Sequence, residues 1–149
     1  MRLHDLLSRP VQPLTLMAGL GAGTRLRTPD GEADVSGLRA GDRLVTGNGV
    51  TTLRGVEARA ARLAPIRILA GTLRHGRPED DLLVGPATPL RLEGWRARAL
   101  YGRAPAMVAA HRLVDGIYVV EEPLRGMTLW TLDLDGPAVV WANGVEVGV

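Results

Sequence analysis

Apolar residues occur in short runs along this chain, and Gly, Pro, Asp and Asn separate the runs. Residues 66–69 alternate apolar and polar side chains, as a half-buried strand does. Residues 82–84 form a continuous apolar run, and prolines at 86 and 89 separate it from a second apolar segment at 90–92. The pattern predicts an all-β fold of short strands and hairpins.

Three turn sequences support this prediction, because Asp-Gly and Asn-Gly supply the positive φ that tight hairpin turns require. They are Asp30-Gly31, Asn48-Gly49 and Asp135-Gly136. We expect strands on both sides of each, with 43–46 pairing with 50–56, and a further hairpin from 82–84 to 90–92. Strands at 116–121, 127–134 and 138–141 complete the predicted sheet.

Helix is expected in few places. The apolar spacing over 108–114, followed by Asp115-Gly116, predicts one short helix with a glycine stop. Residues 1–18 contain two prolines and only a brief helical pattern, so they are interpreted as an N-terminal arm before a domain at 19–149. The apolar run 14–20 is too short to span a bilayer and makes a poor signal peptide. We expect a soluble protein, cytoplasmic or exported.

Composition narrows the class of protein. A chain of 149 residues suits one domain with its own core. Phe is absent and aromatic residues reach only 3%, so Leu, Val, Ile and Ala must fill the interior. All 18 basic residues are Arg, yet they are scattered and the net charge is only +2, which argues against nucleic-acid binding.

Few residues suggest a metal or cofactor site. The chain has no Cys, which excludes disulfides, thiolate metal ligands and cysteine nucleophiles. His4, His75 and His111 are too dispersed for a typical ligand pair, and residues 79–81 are interpreted as a solvated acidic turn. Residues 19–23 lack the Gly-Lys-Ser/Thr ending of a phosphate-binding loop. We therefore expect no metal and no cofactor.

Several ordered motifs resemble one known family. They are Gly23-Thr24 with the T-P-D-G turn at 28–31, L-R-A-G-D-R-L-V-T at 38–46, A-P-I-R-I-L-A-G at 64–71, D-D-L-L-V-G-P at 80–86, A-A-H-R-L-V-D-G at 109–116 and V-V-W-A-N-G at 139–144. Together they resemble the Hint domains of hedgehog autoprocessing proteins and inteins, particularly the short bacterial branch. The resemblance implies a Hint-like β-fold over most of the chain.

The resemblance also implies a self-cleavage reaction whose residues are replaced in this sequence. In that family a thiol or hydroxyl attacks the preceding carbonyl, while a His and a Thr polarise the amide. Here Gly19 stands where the family has Cys, and Thr88 stands where it has His. Thr131 and Pro137 stand where the last strands usually offer His. The resemblance thus implies a degenerate autoprocessing domain, serving as a binding or structural module with a protein partner.

Two alternatives remain open. A hydroxyl such as that of Thr24 could act as nucleophile, and Asn143 could form a succinimide, although both residue types are more often structural at turns. The chain could instead be a subunit of a bacterial or phage-like assembly, with the arm docking on a neighbour. If the resemblance holds, Thr88 and Thr131 should line one cleft close to residues 19–24.

Overall fold

The structure is a computed structural model that describes residues 17–93, 97–99, 102 and 105–149. Within these residues the chain forms thirteen β-strands, which confirms the predicted all-β class. The strands are β1 (Arg25–Thr28), β2 (Gly31–Asp34), β3 (Arg43–Thr46), β4 (Gly49–Thr52), β5 (Gly55–Leu63), β6 (Ile66–Ile68), β7 (Leu82–Val84), β8 (Pro89–Leu92), β9 (Ala106–Ala109), β10 (Val119–Glu121), β11 (Arg125–Asp133), β12 (Val139–Ala142) and β13 (Val145–Gly148).

The strands form three antiparallel sheets in the described part of the chain. The largest has the order β2-β1-β12-β13-β8-β9, with β3 paired to β12 and β4 paired to β3. A three-stranded sheet has the order β10-β6-β7. The remaining two strands, β5 and β11, pair along nine residues each as a long ribbon.

The first predicted hairpin is confirmed, and the second is confirmed as far as Thr52, whereas residues 55 and 56 belong to β5 and pair with β11. Strands β1 and β2 pair around Pro29 and Asp30, and strands β3 and β4 pair around Gly47 and Asn48. The strands predicted at 66–69, 82–84 and 90–92 are also present, as β6, β7 and β8. Turn residues and alternation are local signals, so they identify these elements without knowledge of the rest of the chain.

Two other predicted hairpins are wrong. At Asp135-Gly136 the chain leaves the ribbon for the large sheet, since β11 pairs with β5 whereas β12 pairs with β1, β3 and β13. Likewise β7 pairs with β6, and β8 pairs with β9 and β13. A turn sequence permits a reversal, but which strands become partners depends on contacts between segments that are distant in sequence.

The predicted helix at 108–114 is also wrong for its first half. Residues up to Ala109 belong to β9, and only Ala110–Leu113 form a short 3₁₀ turn. A short apolar run fits a strand as well as a helix, and here pairing with β8 buries Val108. Further 3₁₀ turns lie at Val35–Gly37 and Arg74–Gly76, and residues 97–99 are helical.

Aliphatic side chains make the core, as the composition predicts. The main cluster consists of buried Leu, Val, Ile and Ala residues from the large sheet, the three-stranded sheet and the connecting segments. Val56, Trp130 and Leu132 of the ribbon pack against it while partly exposed. A smaller cluster contains Leu92, Ala97, Ala106 and Val108. The predicted arm, apart from residues 17 and 18, lies outside the described residues. None of the helical segments within the described ranges has the length and hydrophobicity of a membrane span.

Candidate functional site

A short extended segment at residues 17–21 lies between two sheets. Leu20 forms a bridge to Val84 of β7 on one side and to Trp130 of β11 on the other. Its backbone exchanges both hydrogen bonds with Trp130, each at 2.9 Å. The side chain of Leu20 is 2% exposed and belongs to the main core cluster. Burial of this one side chain therefore positions the whole segment.

The other edge of the segment pairs with the end of β7 and the loop after it. Each hydrogen bond joins an amide nitrogen to a carbonyl oxygen: Gly21 to Leu83 at 2.7 Å, Gly85 to Gly19 at 3.0 Å, and Ala87 to Met17 at 2.8 Å. A Cβ on Gly85 would lie 2.5 Å from the carbonyl oxygen of Met17. This close approach requires glycine at position 85. The three hydrogen bonds hold the peptide bond between Ala18 and Gly19 against the loop.

Gly19 occupies a position that suits glycine alone. Its φ is +147°, a region that residues with a side chain rarely adopt. A Cβ placed there would lie 3.0 Å from Leu129 Cβ and 3.2 Å from the carbonyl oxygen of Trp130. Both the backbone angle and the space disfavour any larger residue at the position that the resemblance assigns to the nucleophile.

Thr88 contacts the backbone of Gly19 directly. The amide nitrogen of Gly19 donates to Thr88 Oγ1 at 3.0 Å, and the same hydroxyl donates to the carbonyl oxygen of Gly19 at 3.1 Å. Thr88 is 2% exposed. The hydroxyl accepts from the amide of the Ala18–Gly19 peptide bond, and its single proton is already used.

Thr131 and Pro137 are exposed residues that line the same cavity as Gly19. Thr131 belongs to β11, and its Cγ2 would be 3.5 Å from a Cβ on Gly19. Pro137 lies in the connection from β11 to β12. All four positions singled out by the resemblance line one cavity of about 880 Å³. The cavity is also lined by residues that sequence reasoning missed, among them Pro89, Arg91, Met107, Trp130, Trp141 and Glu146.

Arg91 and Glu146 form the charged wall of this cavity. Arg91 Nη1 donates to Glu146 Oε2 at 2.6 Å, and this hydrogen bond is the main reason that the pKa of Arg91 is raised. The two residues lie on β8 and β13, which are neighbours in the large sheet. Their distance in sequence explains why no local pattern revealed the pair.

Thr24, the candidate hydroxyl nucleophile, lies outside the cavity lining. It is 1% exposed, and its Oγ1 donates to the carbonyl oxygen of Gly21 at 2.8 Å. Its own carbonyl oxygen accepts from the amide of Val35. The residue closes the turn that leads into β1.

Asn143 also lies outside the cavity and connects three segments. It occupies the turn between β12 and β13 with φ +48° and is 4% exposed. Its Oδ1 accepts from the amide of Arg25 at 2.8 Å, while Nδ2 donates to the carbonyl oxygen of Asp81 at 3.2 Å. Both ends of the amide are therefore engaged.

The acidic turn at 79–81 is held by protein contacts. Asp81 Oδ1 accepts from the amide of Ala70 at 2.8 Å, and Oδ2 lies 3.6 Å from Arg67 Nη1. In the part of the chain that the structure describes, no group of three or more His, Cys, Asp or Glu side chains is arranged to hold a metal ion.

Comparisons with known proteins agree on the family. A family model described as the Hint domain matches residues 18–148. Among solved structures, a bacterial intein-like domain from Clostridium thermocellum is similar with a TM-score of 0.62 and 15% identity, over 88% of this chain and 97% of that one. No curated protein matches the sequence.

Two inteins show the same likeness. The gp41-1 intein has a TM-score of 0.56 and 13% identity, over 87% of this chain and 97% of its own. The MchDnaB-1 intein has a TM-score of 0.56 and 15% identity, over 86% of this chain and 98% of its own. At such identities the likeness concerns the fold, and it confirms the predicted Hint-like architecture.

Proposed function

The chain belongs to the Hint domain family, and from this premise we propose that it does not cleave itself and that it serves as a protein-binding module. In this proposal residues 19–149 form the domain and residues 1–18 form an arm. The binding surface is the cavity over Gly19, where family members carry out their reaction.

The conformation of Gly19 is the observation that carries the proposal. Self-cleavage in this family needs a thiol or hydroxyl on the residue that follows the cleaved bond. Gly19 has no side chain, and a Cβ at this position would lie 3.0 Å from Leu129 Cβ. With φ at +147°, the backbone itself is adapted to glycine. The local packing therefore supports the proposal that this position carries no nucleophile.

Thr88 supports the same conclusion. An imidazole can carry a proton at neutral pH and give it to a leaving nitrogen, whereas a threonine hydroxyl does not titrate in that range. The hydroxyl of Thr88 instead accepts from the amide of Gly19 and donates to its carbonyl oxygen. These contacts hold the backbone of Gly19 in place, and they leave the hydroxyl no second proton for the nitrogen of the Ala18–Gly19 bond.

The cavity supports a role in binding. Its volume of about 880 Å³ lies within the range of roughly 300–1,000 Å³ that ligand pockets occupy. Met107, at its edge, is 46% exposed. A mostly apolar cavity with a few polar groups in its lining is typical of a binding site.

The test of inactivity is the intact mass of the full chain after a day with and without dithiothreitol or hydroxylamine. We expect one unchanged mass in all conditions. Fragments that begin at Gly19 would overturn the proposal. Cleavage that occurs in the wild type and is lost in Thr24→Val would favour the alternative, a hydroxyl nucleophile. The buried, hydrogen-bonded state of Thr24 argues against that alternative.

A further inference from the structure

A second cavity of about 750 Å³ shares part of its lining, including Trp141, with the first. Four arginines line it together with the 3₁₀ turn at Arg74–Gly76. The arginines are Arg27, Arg74, Arg77 and Arg91, and the carboxylates in the lining are Glu93 and Glu146. Positive groups therefore outnumber negative ones in this lining, and His75 is there as well.

Most of these charges are already paired. Arg91 lies 2.6 Å from Glu146 and 3.5 Å from Glu93, and Arg74 lies 3.7 Å from Glu93. Arg77 pairs with Glu79 outside the cavity lining. The contacts of Glu93 with both arginines are long, and the side chains of Arg74 and Glu93 are 59% and 37% exposed. Such solvated pairs are weak and can exchange partners at little cost.

Arg27 differs from the other three arginines. Its guanidinium carbon lies 4.8 Å from the centre of the Trp141 ring, a cation–π contact. Among the residues that the structure describes, no carboxylate lies within ion-pair distance of Arg27. A guanidinium stacked by one face on an aromatic ring keeps the N–H donors along its edge, which can bind a carboxylate through two hydrogen bonds.

The two cavities share three lining residues, which are Arg91, Trp141 and Glu146. Beyond them the first cavity is mainly apolar, with Pro89, Met107 and Pro137 in its lining. The second is rich in arginine. We call the two cavities together the cleft; it is apolar at one end and cationic at the other.

We propose that this cleft binds an extended acidic peptide segment, in which apolar residues occupy the cavity over Gly19 and a neighbouring Asp or Glu carboxylate binds Arg27. The inference rests on the proposed binding function and adds the chemistry of the partner. Charge complementarity selects the acidic end, because arginines outnumber carboxylates in the second lining and a carboxylate can bind the edge of the Arg27 guanidinium, which has no ion pair among the described residues. A nucleic acid fits less well, since the lining of the first cavity is mainly apolar and one face of Trp141 is already covered by Arg27.

The first experiment is a selection from a random dodecapeptide phage library on the immobilised full chain. The selected peptides are then synthesised with a fluorescent label, and their affinity is measured by polarisation. We expect enrichment of Asp or Glu beside Leu, Ile, Val or Pro. Failure to select any peptide that binds in solution would overturn both the proposed function and this inference. Selected peptides without acidic enrichment would overturn the inference alone.

Three variants then locate the bound peptide. Arg27→Gln removes the cation, and we expect it to weaken binding about tenfold, or 1.4 kcal/mol. Thr131→Trp fills the apolar cavity from an exposed strand position and should weaken binding at least as much. Arg59→Glu, on exposed β5 outside both linings, is the control and should change affinity less than twofold.

The outcomes separate the two proposals. If Thr131→Trp weakens peptide binding but Arg27→Gln does not, the cavity over Gly19 remains the binding site, and the proposal of an acidic partner is overturned. No effect of either variant overturns both. Displacement of the peptide by a dodecamer of thymidine nucleotides at equal concentration would show that the cleft prefers nucleic acid, which also overturns the inference. Unfolding curves of each variant check that the fold is retained.

Discussion

Thr88 and Gly19 form a closed pair of hydrogen bonds through a single hydroxyl. Thr88 Oγ1 accepts from the amide nitrogen of Gly19 at 3.0 Å and donates to its carbonyl oxygen at 3.1 Å. Gly19 lies in the extended segment at residues 17–21, and Thr88 lies in the loop between β7 and β8, so this hydroxyl joins distant parts of the chain. In the proposed function, the Thr88 hydroxyl makes a structural contact at the position where the family has an acid–base His.

Replacement of Thr88 by valine should therefore destabilise the fold. Valine has nearly the same shape, but the buried amide of Gly19 then lacks its acceptor, at a cost of about 1–3 kcal/mol. Chemical denaturation with urea measures the difference. Thr131→Val on the exposed face of β11 is the matched control and should change the free energy of unfolding by less than about 0.5 kcal/mol. Equal effects of the two variants would contradict the structural role of Thr88.

A methyl group at Gly19 should also be costly. Gly19→Ala introduces a Cβ that is 3.0 Å from Leu129 Cβ and retains an unfavourable φ of +147°. Strain of this kind costs about 1–3 kcal/mol. Gly126→Ala is the control, because a Cβ there meets nothing within 4 Å and the backbone is ordinary strand. We expect this control to be neutral or slightly stabilising in thermal unfolding, and a neutral Gly19→Ala would show that position 19 accepts a side chain.

Asn143 is expected to be a stability residue. Asn143→Gly keeps the left-handed backbone but removes the acceptor for the amide of Arg25 and the donor to the carbonyl oxygen of Asp81. Loss of these buried contacts should cost about 1–3 kcal/mol in urea denaturation. Asn48→Gly, in the exposed turn between β3 and β4, is the control and should have a much smaller effect. If Asn143 instead took part in cleavage, the variant would change the fragment pattern and leave stability intact.

The acid sensitivity of the fold should depend on Glu122. A hydrogen bond from Arg67 Nε at 2.6 Å is the main cause that lowers the pKa of Glu122 from its usual value of 4.5, and Arg125 adds to the effect. Because folding lowers this pKa, the carboxylate stabilises the protein above pH 4.5, and the stabilisation is lost as the pH falls through the lower folded value.

Glu122→Gln should therefore reduce the free energy of unfolding at pH 7 by roughly 1 kcal/mol or less. The difference from the wild type should shrink as the pH falls below 4.5. Glu57→Gln on β5 is the control, since Glu57 is exposed and has no ion pair within the described ranges. A difference that is the same at pH 3 and pH 7 would show that the Glu122 carboxylate is not the source of the stabilisation.

Local chemistry in the sequence determined most strands and the first turns. Alternation at 66–69 and the glycines after Asp30 and Asn48 act over a few residues, so they identify β6 and the first hairpins directly. The periodicities predicted individual strands, whereas the order of the motifs along the chain indicated the family. The resemblance, not the physical pattern, singled out Gly19, Thr88, Thr131 and Pro137.

Only the tertiary structure decided which strands pair and what surrounds Gly19. Pairing of β9 with β8 buries Val108 and Leu90 and overrides the helical spacing at 108–114. Nine residue pairs join β11 to β5, so the turn signal at Asp135-Gly136 does not produce a hairpin. The cavity and the cleft beside Arg27 are assembled from strands far apart in sequence. Such contacts have no local signature, because their free energy arises only when distant segments exclude water together.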